Sequence, residues 1–281
     1  MNARIISAIL VLALASLACG FDVDLPERVA PGPDVEESIT VPVSGSDETR
    51  LTISFGAGVL NLSPGGAEEL VDGTVVYNVP QLKPEIIRDE GRVEIRQGDF
   101  NDLINYNDIK NRWDLGLGDS PIDLTINAGA YQGNFELGGL SLTSLTVKDG
   151  ASKVELSFSE PNQTRMSVLR YETGASNVTL SGLANANFST LIFSGGVGDY
   201  ELDFSGDLAE AGTVDISAGA GDVQLIIPRD VNARVTVESA LVNVNLSSNW
   251  AQSGDDYTQS GEGPLLTIIV KMAAGNLTIT D

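Results

Sequence analysis

From residue 124 onward, apolar and polar residues alternate in short runs that break at a small residue and resume beyond it. The runs read Leu124-Thr-Ile-Asn-Ala-Gly129, Leu145-Thr-Val-Lys-Asp-Gly150, Leu169-Arg-Tyr-Glu-Thr-Gly174, Leu191-Ile-Phe-Ser-Gly-Gly196 and Val214-Asp-Ile-Ser-Ala-Gly219, with a sixth, Val235-Thr-Val-Glu-Ser-Ala240. Six residues past each break stands another apolar residue: Phe135, Leu156, Leu180, Leu202, Leu225 and Leu246. Breaks recur about every 22 residues. Two further stretches share the grammar, Leu51 to Gly56 followed by Leu62, and Ile268 to Ala273 followed by Ile279.

Period-two alternation puts Leu145, Val147, Val154 and Leu156 on one face of a strand pair and Thr146, Lys148 and Glu155 on the other. One strand-turn-strand unit cannot bury its apolar face alone, so neighbouring units must stack into a shared core. The regular spacing predicts an all-β chain, a flattened β-solenoid with one coil per repeat over residues 121–281. An antiparallel sandwich, each small residue forming a hairpin tip, is the competing geometry; the breaks lack the Asn-Gly or Asp-Gly pairs that hairpins favour. Residues 49–120 break the period and are expected to form an N-terminal capping β module, with strands at 51–62, 74–79 and 92–97. At the other end the repeat at Ile268 to Ile279 is expected to be the final coil, its edge shielded by Asn249 to Gly263 or free to pair with another copy. The expected state is a monomer with weak self-association.

The N-terminus has a different pattern. Arg4 precedes an apolar run from Ile5 to Ala18, shorter than the roughly 20 residues a spanning helix needs. It reads as a signal peptide over residues 1–18. Cys19, the only cysteine, follows the small Ala18. This arrangement resembles a lipobox, which implies cleavage before Cys19 and acylation of its thiol. Residues 19–48, acidic and containing Pro26, Pro31 and Pro33, are expected to be a flexible tether.

Composition narrows the function. The chain has 281 residues, 16 Lys and Arg against 39 Asp and Glu, and a net charge of −23. Such an excess of acid opposes binding to nucleic acid or an anionic surface, and the cations are scattered singly. No nucleic-acid partner is expected, and contact with a membrane is expected through the N-terminal lipid alone. The absence of histidine removes Ser-His-Asp and Cys-His catalysis and any imidazole zinc site. Lys148 and Lys153 lie in alternating strands with no nucleophile elbow.

Four ordered elements carry a resemblance: Gly56-Ala-Gly-Val-Leu-Asn-Leu62, Leu82-Lys-Pro-Glu85, Arg92-Val-Glu-Ile-Arg-Gln97 and Asn111-Arg-Trp-Asp-Leu115. Together with the repeats after Leu124, they resemble the bacterial "toast rack" domain of unknown function over roughly residues 50–280. Similar repeats occur in membrane proteins that modulate cell-wall-stress signalling and in adhesin-like proteins. Those regulators usually carry transmembrane helices before the domain, where this chain has its lipobox. The resemblance brings no catalytic residues.

The remaining chemistry is sparse. Asp199, Glu201 and Asp203 share one strand face and could pair as carboxylates in glycoside hydrolysis, though outward strand positions are ordinarily polar. Gly195-Gly-Val-Gly-Asp199 is superficially similar to a calcium-binding repeat, but it occurs once rather than every nine residues. Asp207, Asp222, Asp255 and Asp256 do not form a ligand-spaced loop. Trp113 either caps the core beside Leu115 and Leu117 or, if exposed, stacks on a sugar. No catalytic residue, cofactor or metal is assigned. The expected function is a lipid-anchored, extracytoplasmic envelope protein that is not an enzyme and binds a protein or glycan, in adhesion or stress sensing; the alternative is a carbohydrate-binding or carbohydrate-cleaving protein using the Asp/Glu face.

Overall fold

The computed structural model describes residues 31–43, 45–98, 109–239 and 241–281. Cys19 and the expected signal peptide lie outside the described residues. Apart from one 3-10 turn at Pro80–Leu82, the regular structure of the described residues is all strand.

The repeats build five long strands: β7 (Ile122–Glu136), β8 (Leu142–Ser157), β9 (Met166–Ser181), β10 (Phe188–Asp203) and β11 (Gly212–Ile226). Each runs parallel and in register with the next. Parallel pairing removes the antiparallel sandwich and establishes the flattened solenoid. Inward residues switch parity at the corner, from Leu145 and Val147 to Val154 and Leu156 in β8 and from Val214 and Ile216 to Val223 and Leu225 in β11, so each strand bends into a first and a second limb. Both limbs face a single core. Leu156, Leu180, Leu202 and Leu225 form one continuous register row, all buried.

The small residue at each bend is set by backbone proximity. A Cβ on Gly174 would lie 2.5 Å from the carbonyl oxygen of Gly150, one on Gly196 2.3 Å from that of Gly174, and one on Gly219 2.5 Å from that of Gly196. These distances are below any real contact, so Gly174, Gly196 and Gly219 admit no side chain, while Ala273 closes the same column. Just beyond it, Gly221 and Gly275 have φ of +133° and +131° and sit in a second close-packed glycine row.

The ends depart from the repeat order. β2 (Thr49–Pro64), expected inside the capping module, is itself a coil in register with β7, Leu51 opposite Leu124 and Leu62 opposite Phe135. Outside it lies a split coil made of β5 (Arg92–Gln97) on the first limb and β6 (Asn111–Leu117) on the second. Antiparallel strands close this end: β4 (Pro84–Asp89) on β5, and β3 (Glu69–Tyr77) then β1 (Val35–Pro42) on β6. The segment read as a flexible tether thus contains a paired strand, with Ile39 and Val41 buried.

At the other end, the long strand β16 (Glu262–Thr280) is not the final coil. It inserts between β11 and a split coil of β12 (Val231–Val237) and β13 (Val242–Leu246). The expected shield over the final strand is a hairpin, β14 (Ala251–Ser253) and β15 (Asp256–Gln259), which pairs with β12 instead. Insertion leaves the chain's last strand covered on both edges.

Candidate functional site

Stacking coils in register turns each sequence column into a row across the surface. On the outer face of the second limb, residues three past the corner align as Lys153, Asn177, Asp199, Asp222, Asn276 and Asn243. Residues five past it align as Glu155, Thr179, Glu201, Gln224, Thr278 and Asn245. The two rows floor an open groove of about 720 Å³. Asn276 Nδ2 donates to Asp222 Oδ1 at 2.7 Å, and Asn243 Nδ2 donates to Asn276 Oδ1 at 3.3 Å. Lys153 lies 3.6 Å from Glu155. The carboxylates of Asp199 and Glu201 make no hydrogen bond or ion pair to any described residue, so they are available to a ligand.

The carboxylates singled out from sequence do share the outer face, while Tyr200, Leu202 and Phe204 point inward. Asp203 is engaged locally, accepting from the Ser205 hydroxyl at 2.8 Å and the Ser205 amide at 2.9 Å. The fixed offsets three and five from the corner were legible in the sequence. Read column by column, they give the polar rows of this face, which no triplet of catalytic side chains marks.

The opposite outer face is charge-balanced. Lys148 lies 3.6 Å from Glu172, Arg170 lies 3.4 Å from the same carboxylate, and Lys271 pairs with Asp215 at 3.8 Å and Glu238 at 3.9 Å. Asp256 pairs with Arg234 and accepts from Thr236, which docks the β14–β15 hairpin; the guanidinium, then the hydroxyl, hold its carboxyl below the usual range. The Gly195 to Gly198 run has a packing explanation: a Cβ at Gly195 would sit 2.5 Å from the Tyr200 ring, and one at Gly198 would overlap the Ser176 carbonyl. Among the described residues no Asp, Glu or Cys cluster is arranged to hold a metal ion.

Trp113 is fully buried, edge-on to Phe55 with centroids 5.1 Å apart, so it caps the core and cannot stack on a sugar. Its Nε1 donates to Asn111 Oδ1 at 3.1 Å, and Asn111 Nδ2 donates to the Ala57 carbonyl and to Gln97 Oε1, each at 2.7 Å. Arg112 grips Asp114 through two bonds of 2.7 and 2.8 Å, holding that carboxyl below its ordinary value. The Asn-Arg-Trp-Asp-Leu element is therefore a structural clasp on the first coils.

One polar cluster escaped the sequence reading. Asp149, at a corner, accepts from Tyr171 Oη at 2.8 Å, Tyr131 Oη at 3.3 Å, Ser152 Oγ at 3.0 Å and the Thr173 hydroxyl. Burial first, then the charge of Asp149, pushes the Tyr131 phenol far up; burial likewise leads for Tyr171. These groups tie coils β7, β8 and β9 together through hydrogen bonds made inside the bend.

The chain belongs to the family described as the N-terminal domain of toast_rack, DUF2154, which matches residues 30–181 and 162–226. No curated protein gives a significant match. A candidate cell adhesion protein from Clostridium sporogenes is similar in structure, 21% identical over 88% of this chain and 99% of its own, with a TM-score of 0.50. A candidate adhesin from Bacteroides fragilis is 10% identical over 90% of this chain and 99% of its own, at a TM-score of 0.39. Among the described residues no helix is long and apolar enough to cross a membrane.

Proposed function

We propose that this protein is a non-enzymatic binding module of the cell envelope, held to a membrane through acylated Cys19. The outer face of its second limb is the surface it presents to a protein or glycan partner. One observation supports this reading: two rows of polar side chains, mostly amides and carboxylates with the Thr179 and Thr278 hydroxyls among them, lie in register along an open groove, and the Asp199 and Glu201 carboxylates are unengaged. Repeated hydrogen-bonding groups at about 4.8 Å steps suit an extended partner lying across the strands. Outward residues of a solenoid can also vary without disturbing the core, which suits recognition. Adhesion is the role suggested for the C. sporogenes neighbour, and it enters here as the corresponding proposal for this chain.

The test is a screen of the mature chain against arrayed glycans and envelope proteins, beside a variant carrying Asp199→Lys, Glu201→Lys and Asp222→Lys. Binding by the parent and its loss in the variant is the expected result. Equal binding by both, or turnover of an arrayed glycan, would overturn it. Anchoring is tested separately with an alkyne fatty acid, which should label the parent and not Cys19→Ser.

A further inference from the structure

Among the described residues the solenoid has four outermost strands, and three are protected against pairing with another chain. β1 carries Glu36, Glu37 and Pro42; β4 carries Pro84, Glu85, Arg88 and Asp89; β14 is three residues long. Charges, prolines and brevity are the usual guards on sheet edges. β13 has none of them. Its five residues, Val242-Asn-Val-Asn-Leu246, are uncharged, and among the described strands it pairs with β16 alone.

The core is also open here. The inward row that holds Leu225 and Ile279 fully buried ends at Leu246, which is 37% exposed, and the adjoining Leu241 is 74% exposed. On the first limb the same coil is followed by β15 and β14, with Tyr257 buried over the core. The first limb thus extends two strands beyond the split coil, while the second stops at β13. The result is a step about two strands, or roughly 10 Å, wide.

We propose that β13 is a strand-addition site for an extended segment of a partner protein, alternating apolar residues with uncharged or basic ones. The added strand would pair with the free edge of β13 and place its apolar residues over Leu246 and Val244. Its outward residues would continue the amide row of Asn276 and Asn243. A second copy of this chain fits poorly. Two-fold pairing of β13 with its counterpart would bring two β14–β15 overhangs into one space, and each chain carries a charge of −23. The same charge disfavours an acidic segment. This inference uses an edge rather than the groove face and stands independently of the reading above.

The probe is a synthetic, end-blocked heptapeptide alternating valine with lysine and threonine, added to the mature chain. Hydrogen exchange should slow across residues 241–247, and affinity should fall at least roughly tenfold in Val244→Lys, which places an inward charge on the edge. Val242→Pro should block binding as well: Ser247 N–H bonds Ile279 O, so by alternation the Val242 N–H faces the open edge, and proline is tolerated at this first residue of the strand, which keeps the test alive if one variant misfolds. Peptides with the valines scrambled, or with glutamate for lysine, should bind more weakly. Absence of protection, equal binding of the scrambled peptide, or binding untouched by both variants would overturn the proposal. So would sedimentation showing a β13-dependent dimer without peptide. The groove variant Asp199→Lys, Glu201→Lys, Asp222→Lys should retain peptide protection at β13, which separates failure here from failure of the groove reading.

Discussion

Leu225 packs in register against Ile279, near the chain's end, although Leu246 is the next residue of its kind along the sequence. Between them in sequence the chain builds the outermost coil and its hairpin, then returns to fill the vacant layer. β16 therefore has β11 on one edge and β12 and β13 on the other. A chain ending at Gly261 loses an interior layer, leaving β12 and β13 without their neighbour. It should lack a cooperative denaturant transition, whereas replacing residues 251–259 with a short linker should leave one. A truncated chain that melts like the parent would refute the inserted order.

The leucine row gives a sharper test of facing. Leu202 is fully buried between Leu180 and Leu225, while its neighbour Glu201 points outward with no described partner. Leu202→Ala should cost about 2–5 kcal/mol, as a buried large-to-small change in a packed core. Glu201→Ala should change stability by less than about 0.5 kcal/mol. Urea titration of both variants decides it; equal losses would mean the faces are assigned wrongly.

Corner glycines should be intolerant for a reason that has nothing to do with turn propensity. A Cβ at Gly174 would press on the Gly150 carbonyl, which is backbone and cannot rotate away. Gly174→Val should cost about 1–3 kcal/mol through overpacking. Gly66, in open space with nothing within 4 Å of a built Cβ, is the control; Gly66→Ala should stay within about 0.5 kcal/mol of the parent. Matched thermal melts showing no difference between the two would contradict the close stacking of corners.

The repeat, its corner glycines and the inward leucines were legible because each coil obeys the same local alternation, and parallel stacking preserves that phase across the sheet. Spatial order was not legible. Leu51 to Leu62 and Ile268 to Ile279 show the grammar as plainly as any internal repeat, yet nothing in their residues states that β7 and β11 are their neighbours. Strand β1 was hidden for a related reason: Glu36, Glu37 and Pro42 give it a solvated composition, and only Ile39 and Val41 mark its buried side. Trp113 was open to two readings in sequence because burial of an isolated aromatic depends on the layers above it, here Phe55 and the Asn111 clasp. The groove face was readable in principle from the columns, since a row is only a fixed offset repeated.

Glu136 sits where β7 leaves its coil, and it provides a pH-dependent test. Burial alone would raise its pKa, but four donors outweigh that: the Ser157 hydroxyl at 2.6 Å, the Gly138 amide at 2.7 Å, and the Ser159 hydroxyl and amide at 3.0 and 3.1 Å. Its folded pKa therefore lies below its unfolded one, near 4.3 for a free glutamate. For a depressed carboxyl, the linked stabilisation is complete above the unfolded value and is lost as pH falls through the folded one. Glu136→Gln keeps the shape but replaces one acceptor oxygen with an amide donor, which faces the Ser157 or Ser159 donors unfavourably. The variant should be less stable than the parent at pH 7, and the gap should close below about pH 4 as the parent's carboxyl protonates. Using the difference between the two proteins removes the general relief of acidic repulsion that both share. Denaturant midpoints measured from pH 7 down to pH 3 provide the check. A gap that stays constant, or widens toward acid, would show that these donors do not stabilise the charged form.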